Sequence, residues 1–167
     1  MSYKVSNSFL DMKIGLLLGD SITQQSFAPG GWGARLADSL VRRVDVVNRG
    51  FSGYNTRWVA NNLDRIFYNK SNLKNQICFM TIFLGANDAC LAETADGKQE
   101  QHIPVKEYVE NLEKISHFAE NQLGVAPEKQ IFISPPPVDS AAWFEAMKVK
   151  YEYFYGSPRL WIEKFDF

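Results

Sequence analysis

Two short polar motifs, each directly after an apolar run, carry the residues best suited to chemistry: Gly19-Asp20-Ser21 and Gly85-Ala86-Asn87-Asp88. A glycine-bearing stretch, Asn48-Arg49-Gly50-Phe51-Ser52-Gly53, lies between them. A serine hydroxyl on a tight turn can attack a carbonyl carbon, and the negative oxygen formed then needs N–H donors aimed at it. Ser21 is the candidate nucleophile, and its backbone N–H is a candidate donor. Gly53 lacks a Cβ, so a second backbone N–H can come close to a substrate, and the Asn87 side-chain amide offers a third. Together these residues suit acyl transfer. Taken singly, each reads as an ordinary turn or helix cap.

Around this set, Asp20 is expected to brace the serine turn by accepting backbone hydrogen bonds, and Asp88 to cap the helix or loop after Asn87. Asn48 is a supporting residue, and Arg49 either pairs with a carboxylate or lies at the surface. Phe27, Trp32, Phe51 and Tyr54 are candidates for an acyl pocket, although Trp32 and Tyr54 serve equally well packed against neighbouring helices. The weak point is the general base. The chain has two histidines, His102 and His117. His102 follows the third apolar run, and His117 sits among Ile115, Phe118 and Ala119 on an outer helix, so neither is expected to activate Ser21.

The elements that must position these residues are legible as alternating apolar runs and helical repeats. Lys13–Gly19, Val44–Asn48, Ile77–Leu84 and Gln130–Ser134 read as four strands; Asp45 suggests that the second lies near an edge. Trp32, Leu36, Ala37 and Leu40 share one helix face. Asn55 or Thr56 can cap a helix that turns Val59, Leu63, Ile66 and Phe67 inward. Val105, Tyr108, Val109, Leu112, Ile115, Ala119 and Leu123 repeat at threes and fours, and Gly124 supplies a stop. This alternation predicts an α/β fold: a three-layer α/β/α sandwich about a central parallel sheet. Ligands bind beyond the carboxyl ends of such strands. The loops holding Ser21, Gly53 and Asn87 all fall there, and this convergence outweighs any one motif.

Composition sets the outer bounds. The length of 167 residues suits one domain with a real core, and 18 basic against 19 acidic side chains give no reason to invoke a nucleic-acid or anionic-membrane partner. Cys78 and Cys90 lack metal-ligand spacing, so no metal is expected, and Cys78 is expected to be a buried strand thiol. There is no run of about 18 apolar residues and no secretory pattern at the N-terminus, which makes a cytoplasmic protein the default expectation without obligate membrane association.

At Gly19-Asp20-Ser21-Ile22-Thr23, Asn48 to Thr56 and Gly85 to Asp88, the chain resembles the SGNH hydrolases, also called GDSL-type lipases and esterases. It is more similar still to the isoamyl acetate-hydrolysing esterase group, through Leu84-Gly85-Ala86-Asn87-Asp88-Ala89-Cys90, Gln101-His102-Ile103-Pro104 and Pro135-Pro136-Pro137-Val138-Asp139. The resemblance runs from about Leu16 to at least Asp139. It implies a flavodoxin-like strand order two-one-three-four-five and carboxylester hydrolysis of small or medium acyl esters without a cofactor. In the family pattern Ser21 is the nucleophile, and Ser21, Gly53 and Asn87 supply the oxyanion donors. The family also carries an Asp-x-x-His motif that supplies the orienting aspartate and the base. No Asp-x-x-His spacing occurs in these 167 residues.

After about Lys150 the sequence departs from the family pattern into a tail rich in Tyr, Phe and Trp. The expectation is therefore an incomplete hydrolase domain over 1–150, without its last strand and helix, followed by a divergent tail over 151–167. A splice form, a frameshift or an incomplete gene model accounts for such a change. Arg159–Glu163 is a candidate replacement strand. An exposed edge on the fourth strand invites self-association, and a non-catalytic form that binds a ligand or partner is the alternative function.

Overall fold

The computed structural model describes residues 12–90, 92–94, 97–98, 100–137, 139, 142 and 145. Its centre is a four-stranded, wholly parallel sheet in the order β2-β1-β3-β6. The strands are β1 (Lys13–Gly19), β2 (Val44–Gly50), β3 (Ile77–Phe83) and β6 (Gln130–Ile133). The helices are α1 (Ser21–Gln24), α2 (Trp32–Ser39), α3 (Thr56–Asn61), α4 (Leu63–Ile66), α5 (Lys70–Leu73) and α6 (Val105–Leu123). A two-stranded antiparallel pair, β4 (Glu93–Thr94) with β5 (Gly97–Lys98), lies between β3 and α6. Sequence periodicity gave no sign of that pair, because two-residue strands are too short to show alternation.

Parallel strands are buried on both faces, which is why β1 is a nearly continuous apolar run. Leu16, Leu17 and Leu18 are all fully buried. Leu16 and Leu18 join Val59, Leu63, Phe67, Met80, Ile82, Ile115, Ala119 and Leu123 in one core between the sheet and α3 to α6. Alternation sends Leu17 to the opposite face, where α1 and α2 pack. There Trp32 meets Phe83, with ring centroids 6.2 Å apart. The result is the three-layer α/β/α sandwich, with a strand order that follows the flavodoxin-like pattern through its first four positions.

Several local expectations change. The helix expected from Asn55 to Phe67 breaks at Asn62 into α3 and α4. Strand β2 runs two residues further than expected, so Gly50 closes the strand instead of lying in the loop. On α6, Val105 and Val109 were expected inward but are exposed, at 79% and 47%. Asn111 is buried in their place, because its amide reaches Thr56 Oγ1 at 3.2 Å. The thiol expectation also shifts. Cys90 is the buried cysteine, whereas Cys78 is half-buried with its Sγ 3.4 Å from the Ile14 carbonyl oxygen.

Helix α6 is tied to the sheet by polar contacts as well as its core stripe. Gln130 at the start of β6 receives Ser116 Oγ at 2.7 Å and donates to the Val125 carbonyl at 2.9 Å. Arg57 on α3 and Glu107 on α6 form a two-pronged ion pair at 2.5 and 2.7 Å. That guanidinium holds the Glu107 carboxyl below its ordinary range. The pair is partly exposed, so it contributes only about 0.2–1 kcal/mol.

Candidate functional site

The site is built at the carboxyl ends of β1, β2 and β3. Strand β1 ends at Gly19, which lies beside Gly50, the last residue of β2. The pair forms a flat spot without side chains, and the short helix α1 lies directly on it. A Cβ on Gly50 would fall 2.0 Å from the Gln24 nitrogen, and one on Gly19 would fall 2.1 Å from Thr23 Oγ1. Only glycine at both positions lets the serine turn sit so close to the sheet.

Ser21 is the first residue of α1 and is half-buried. A first-turn N–H has no acceptor within its own helix, so α1 itself does not use the Ser21 N–H. Asp20 caps the turn as expected: its Oδ1 accepts from the Ile22 N–H at 2.9 Å. Its Oδ2 is buried without a hydrogen-bond partner. Burial raises the Asp20 pKa above the ordinary carboxylate value, the Ile22 N–H opposes this, and the nearby Asp88 charge adds to it.

Asn48 is the brace between β2 and the serine turn. Its Nδ2 donates to the Thr23 carbonyl at 2.8 Å, and its Oδ1 accepts from the Gly50 N–H at 2.8 Å. Arg49 donates to the neighbouring Asn48 carbonyl at 3.1 Å rather than to a carboxylate. Beyond β2, the Phe51 N–H reaches the Gly19 carbonyl at 2.8 Å, which draws the glycine loop over the end of β1.

That loop turns between Phe51 and Tyr54, closed by a 3.1 Å hydrogen bond from the Tyr54 N–H to the Phe51 carbonyl. Gly53 occupies the third turn position at φ 81°. A positive φ there is the mark of a type II turn, and it decides which way the central peptide, and with it the Gly53 N–H, faces. The Cβ position of Gly53 is open apart from Gln101 Nε2 at 3.6 Å, so conformation rather than space calls for glycine.

Asn87 follows β3 and is half-buried. Its Nδ2 donates to the Tyr54 carbonyl at 2.8 Å, a bond that uses one of its two amide N–H groups. Among the described residues, Asp88 makes no side-chain hydrogen bond to the segment after Asn87. Its buried carboxylate instead accepts from the Thr56 N–H at 3.0 and 3.2 Å and from the Thr56 hydroxyl, which caps the start of α3. The reason is the first turn of α3, whose open N–H groups point at the end of β3. Burial raises the Asp88 pKa, with the Thr56 bonds acting against it.

The four pocket candidates separate. Phe27 is 42% exposed beyond the serine turn. Trp32 donates its Nε1–H to the Ile22 carbonyl at 3.2 Å and packs on Phe83, so it supports the turn. Phe51 and Tyr54 are half-buried against the core; their ring centroids lie 5.4 Å apart, and Tyr54 meets Trp58 edge-on at 5.8 Å. Neither histidine hydrogen-bonds Ser21 among the described residues. His102 Nδ1 lies 2.5 Å from the Cys90 carbonyl oxygen, and His117 is exposed on α6.

A family model described as GDSL-like lipase/acylhydrolase matches residues 16–165. The chain belongs to the GDSL-like lipase/acylhydrolase family. Among relatives, the isoamyl acetate-hydrolyzing esterase 1 homolog of Rattus norvegicus is 49% identical over 128 residues, covering 77% of this chain and 49% of that protein. A GDSL esterase/lipase of Arabidopsis thaliana is 45% identical over 146 residues, covering 86% of this chain and 56% of that protein. The chain thus spans about half the length of the curated relatives it matches. A crystal structure of a lipase/acylhydrolase from Enterococcus faecalis superposes with a TM-score of 0.55 at 28% identity, covering 78% of this chain and 60% of that one.

Two contacts that organise the site of this GDSL-like chain have no trace in its motifs: those of Gln101, and the second bond of the expected cap residue Asn55. Gln101 donates from Nε2 to the Gly53 carbonyl at 2.8 Å and to Asn87 Oδ1 at 3.3 Å. Asn55 caps α3 through the Trp58 N–H at 2.9 Å, and its Nδ2 holds the Gln101 carbonyl at 3.0 Å. The available signal was the Gln101–Pro104 stretch of the family resemblance, which carries no periodicity. Among the described residues, no group of three or more His, Cys, Asp or Glu side chains is placed to hold a metal ion, and no helix is long and apolar enough to cross a membrane.

Proposed function

We propose that this chain provides the nucleophile and oxyanion side of a carboxylester hydrolase acting on small or medium acyl esters, with Ser21 as the acylated residue. One observation carries the reading. Three loops after β1, β2 and β3 meet, and hydrogen bonds from Asn87 to Tyr54 and from Phe51 to Gly19 hold them together. In the proposed reaction, Ser21 Oγ attacks the ester carbonyl and the oxygen becomes negative. The N–H groups of Ser21, Gly53 and Asn87 receive that charge, each worth about 3 kcal/mol in transition-state stabilisation. Collapse expels the alcohol, and water then hydrolyses the acyl-enzyme.

The proton leaving Ser21 needs an acceptor, and neither His102 nor His117 hydrogen-bonds the serine. Family members take this base from Asp-x-x-His, a spacing absent from the 167 residues. For a polypeptide of these 167 residues alone, with solvent as base, turnover is expected to lie roughly a millionfold below that of a complete triad, as when a serine protease loses its histidine, leaving about 10³–10⁴ over the uncatalysed rate. Added imidazole is the test. The chain should hydrolyse p-nitrophenyl acetate slowly, and imidazole should raise the rate beyond its own background only when Ser21 is present. Equal rates for the chain and for Ser21→Ala, with and without imidazole, would sink the reading.

A second reading is non-catalytic association, and it has its own support. Among the described residues no strand pairs with the outer edge of β6, and Ile131 and Phe132 on that strand are 47% and 49% exposed. Edge pairing between two copies would satisfy the backbone N–H and C=O groups along that edge. Light scattering that reports a concentration-dependent mass, together with no Ser21-dependent turnover, would favour this reading.

A further inference from the structure

We propose that Gln101 is a positioning residue for the two oxyanion donors that lie outside the serine turn. The proposal rests on the ester-hydrolase reading of the Ser21 site. A single amide nitrogen, Gln101 Nε2, reaches both the Gly53 carbonyl at 2.8 Å and Asn87 Oδ1 at 3.3 Å. The backbone settles how both amides face. The Gly53 carbonyl can only accept, so it takes the nitrogen end of Gln101. The Tyr54 carbonyl likewise takes the nitrogen end of Asn87, which turns Asn87 Oδ1 towards Gln101.

The consequence falls on the donors themselves. Gln101 fixes the peptide after Gly53, and the 3.1 Å bond between Tyr54 and Phe51 closes the turn around the peptide before it. The Gly53 N–H is therefore held on both sides. Asn87 is held at both ends of its amide, so its remaining N–H has one direction. Gln101 is itself seated from behind: Asn55 grips its carbonyl at 3.0 Å, and the Ile103 N–H binds the Asp88 carbonyl at 3.1 Å. The 100–103 segment thus straps the Asn87 loop to the Gly53 loop, and Gln101 is the buckle. Donors held in place cost no reorganisation when charge develops, whereas loosened donors lose much of their value.

The test measures Ser21 labelling in the full chain with a fluorophosphonate, whose phosphoryl oxygen needs the same donors, in imidazole buffer that stands in for the base. Gln101→Met, neutral and similar in shape, should slow labelling about 10- to 100-fold with an unchanged far-UV spectrum. Gln101→Asn, which keeps the amide but shortens its reach, should lose as much, and it decides the matter if the methionine variant does not fold. In an Asn87→Ala background the Gln101→Met effect should shrink, because part of its route is already gone. Wild-type labelling rates for Gln101→Met, or effects that multiply in full, overturn the proposal. If the unaltered chain does not label at all, the ester-hydrolase reading fails instead. The positioning claim is then judged by NMR: Gln101→Met must shift the Gly53 N–H and Asn87 side-chain amide signals, and unmoved signals overturn it.

Discussion

Gly50 and Gly53 lie three residues apart, yet they should respond to alanine for different physical reasons. At Gly50 the strand backbone accepts any residue, but an added Cβ would lie 2.0 Å from Gln24 N and 2.4 Å from Gln24 Cα. Those neighbours are backbone atoms, so α1 must lift from the sheet by about 1 Å or more. Lifting α1 also strains the bond from Asn48 Nδ2 to the Thr23 carbonyl. Overpacking of this kind costs about 1–3 kcal/mol, and the strained hydrogen bond about 1 more. At Gly53 the Cβ meets only Gln101 Nε2 at 3.6 Å, so the cost is that of holding alanine at φ 81°, about 1–2 kcal/mol. Urea unfolding followed by tryptophan fluorescence separates the two. With a slope of about 1–3 kcal/mol per molar, Gly50→Ala should lower the midpoint by about 1 M or more and Gly53→Ala by about half as much. A Gly50→Ala chain as stable as the wild type, or less affected than Gly53→Ala, would refute the claim that the serine turn rests on this glycine pair.

Asp20 has a folded-state pKa above its ordinary value of 3.8, so from 3.8 up to that raised value the folded chain keeps a proton the unfolded chain has lost. Its contribution to stability therefore declines as pH rises through that window, and Asp20→Asn should have the higher melting temperature at pH 7, with the gap closing towards pH 4; a gap independent of pH would contradict this. Thr56→Val removes the hydroxyl that Asp88 and Asn111 share inside the protein. It should cost about 1–3 kcal/mol and lower the melting temperature by several degrees, while Thr56→Ser stays near wild type.

The strands were legible because burial on both faces demands apolar runs, and β1 and β3 are such runs. The cap of α3 was legible too, since Asn55 fits its role by side-chain chemistry alone. Helix detail was less so. Val109 and Asn111 sit within one turn of each other on α6, and hydropathy favours turning the valine inward. The structure buries the asparagine because Thr56 offers it a partner, and a pairing 55 residues away leaves no local trace. The reach of Asp88 to Thr56 escaped for the same reason. The tail over 151–167 and the candidate strand at Arg159–Glu163 lie outside the described residues.

By itself the sequence determined the layer architecture, the family, and the presence of Ser21, Gly53 and Asn87 after three successive apolar runs. These follow from periodicity and residue type, which act over a few neighbours along the chain. Only the tertiary structure decided how the loops are joined: Gly19 against Gly50 beneath α1, Asp88 on α3, and Gln101 between Gly53 and Asn87. Each of those is a contact between elements distant in sequence, set by strand order and crossover geometry. Hydrogen bonding across such a crevice depends on where backbone carbonyls end up, and that is decided when the sheet assembles.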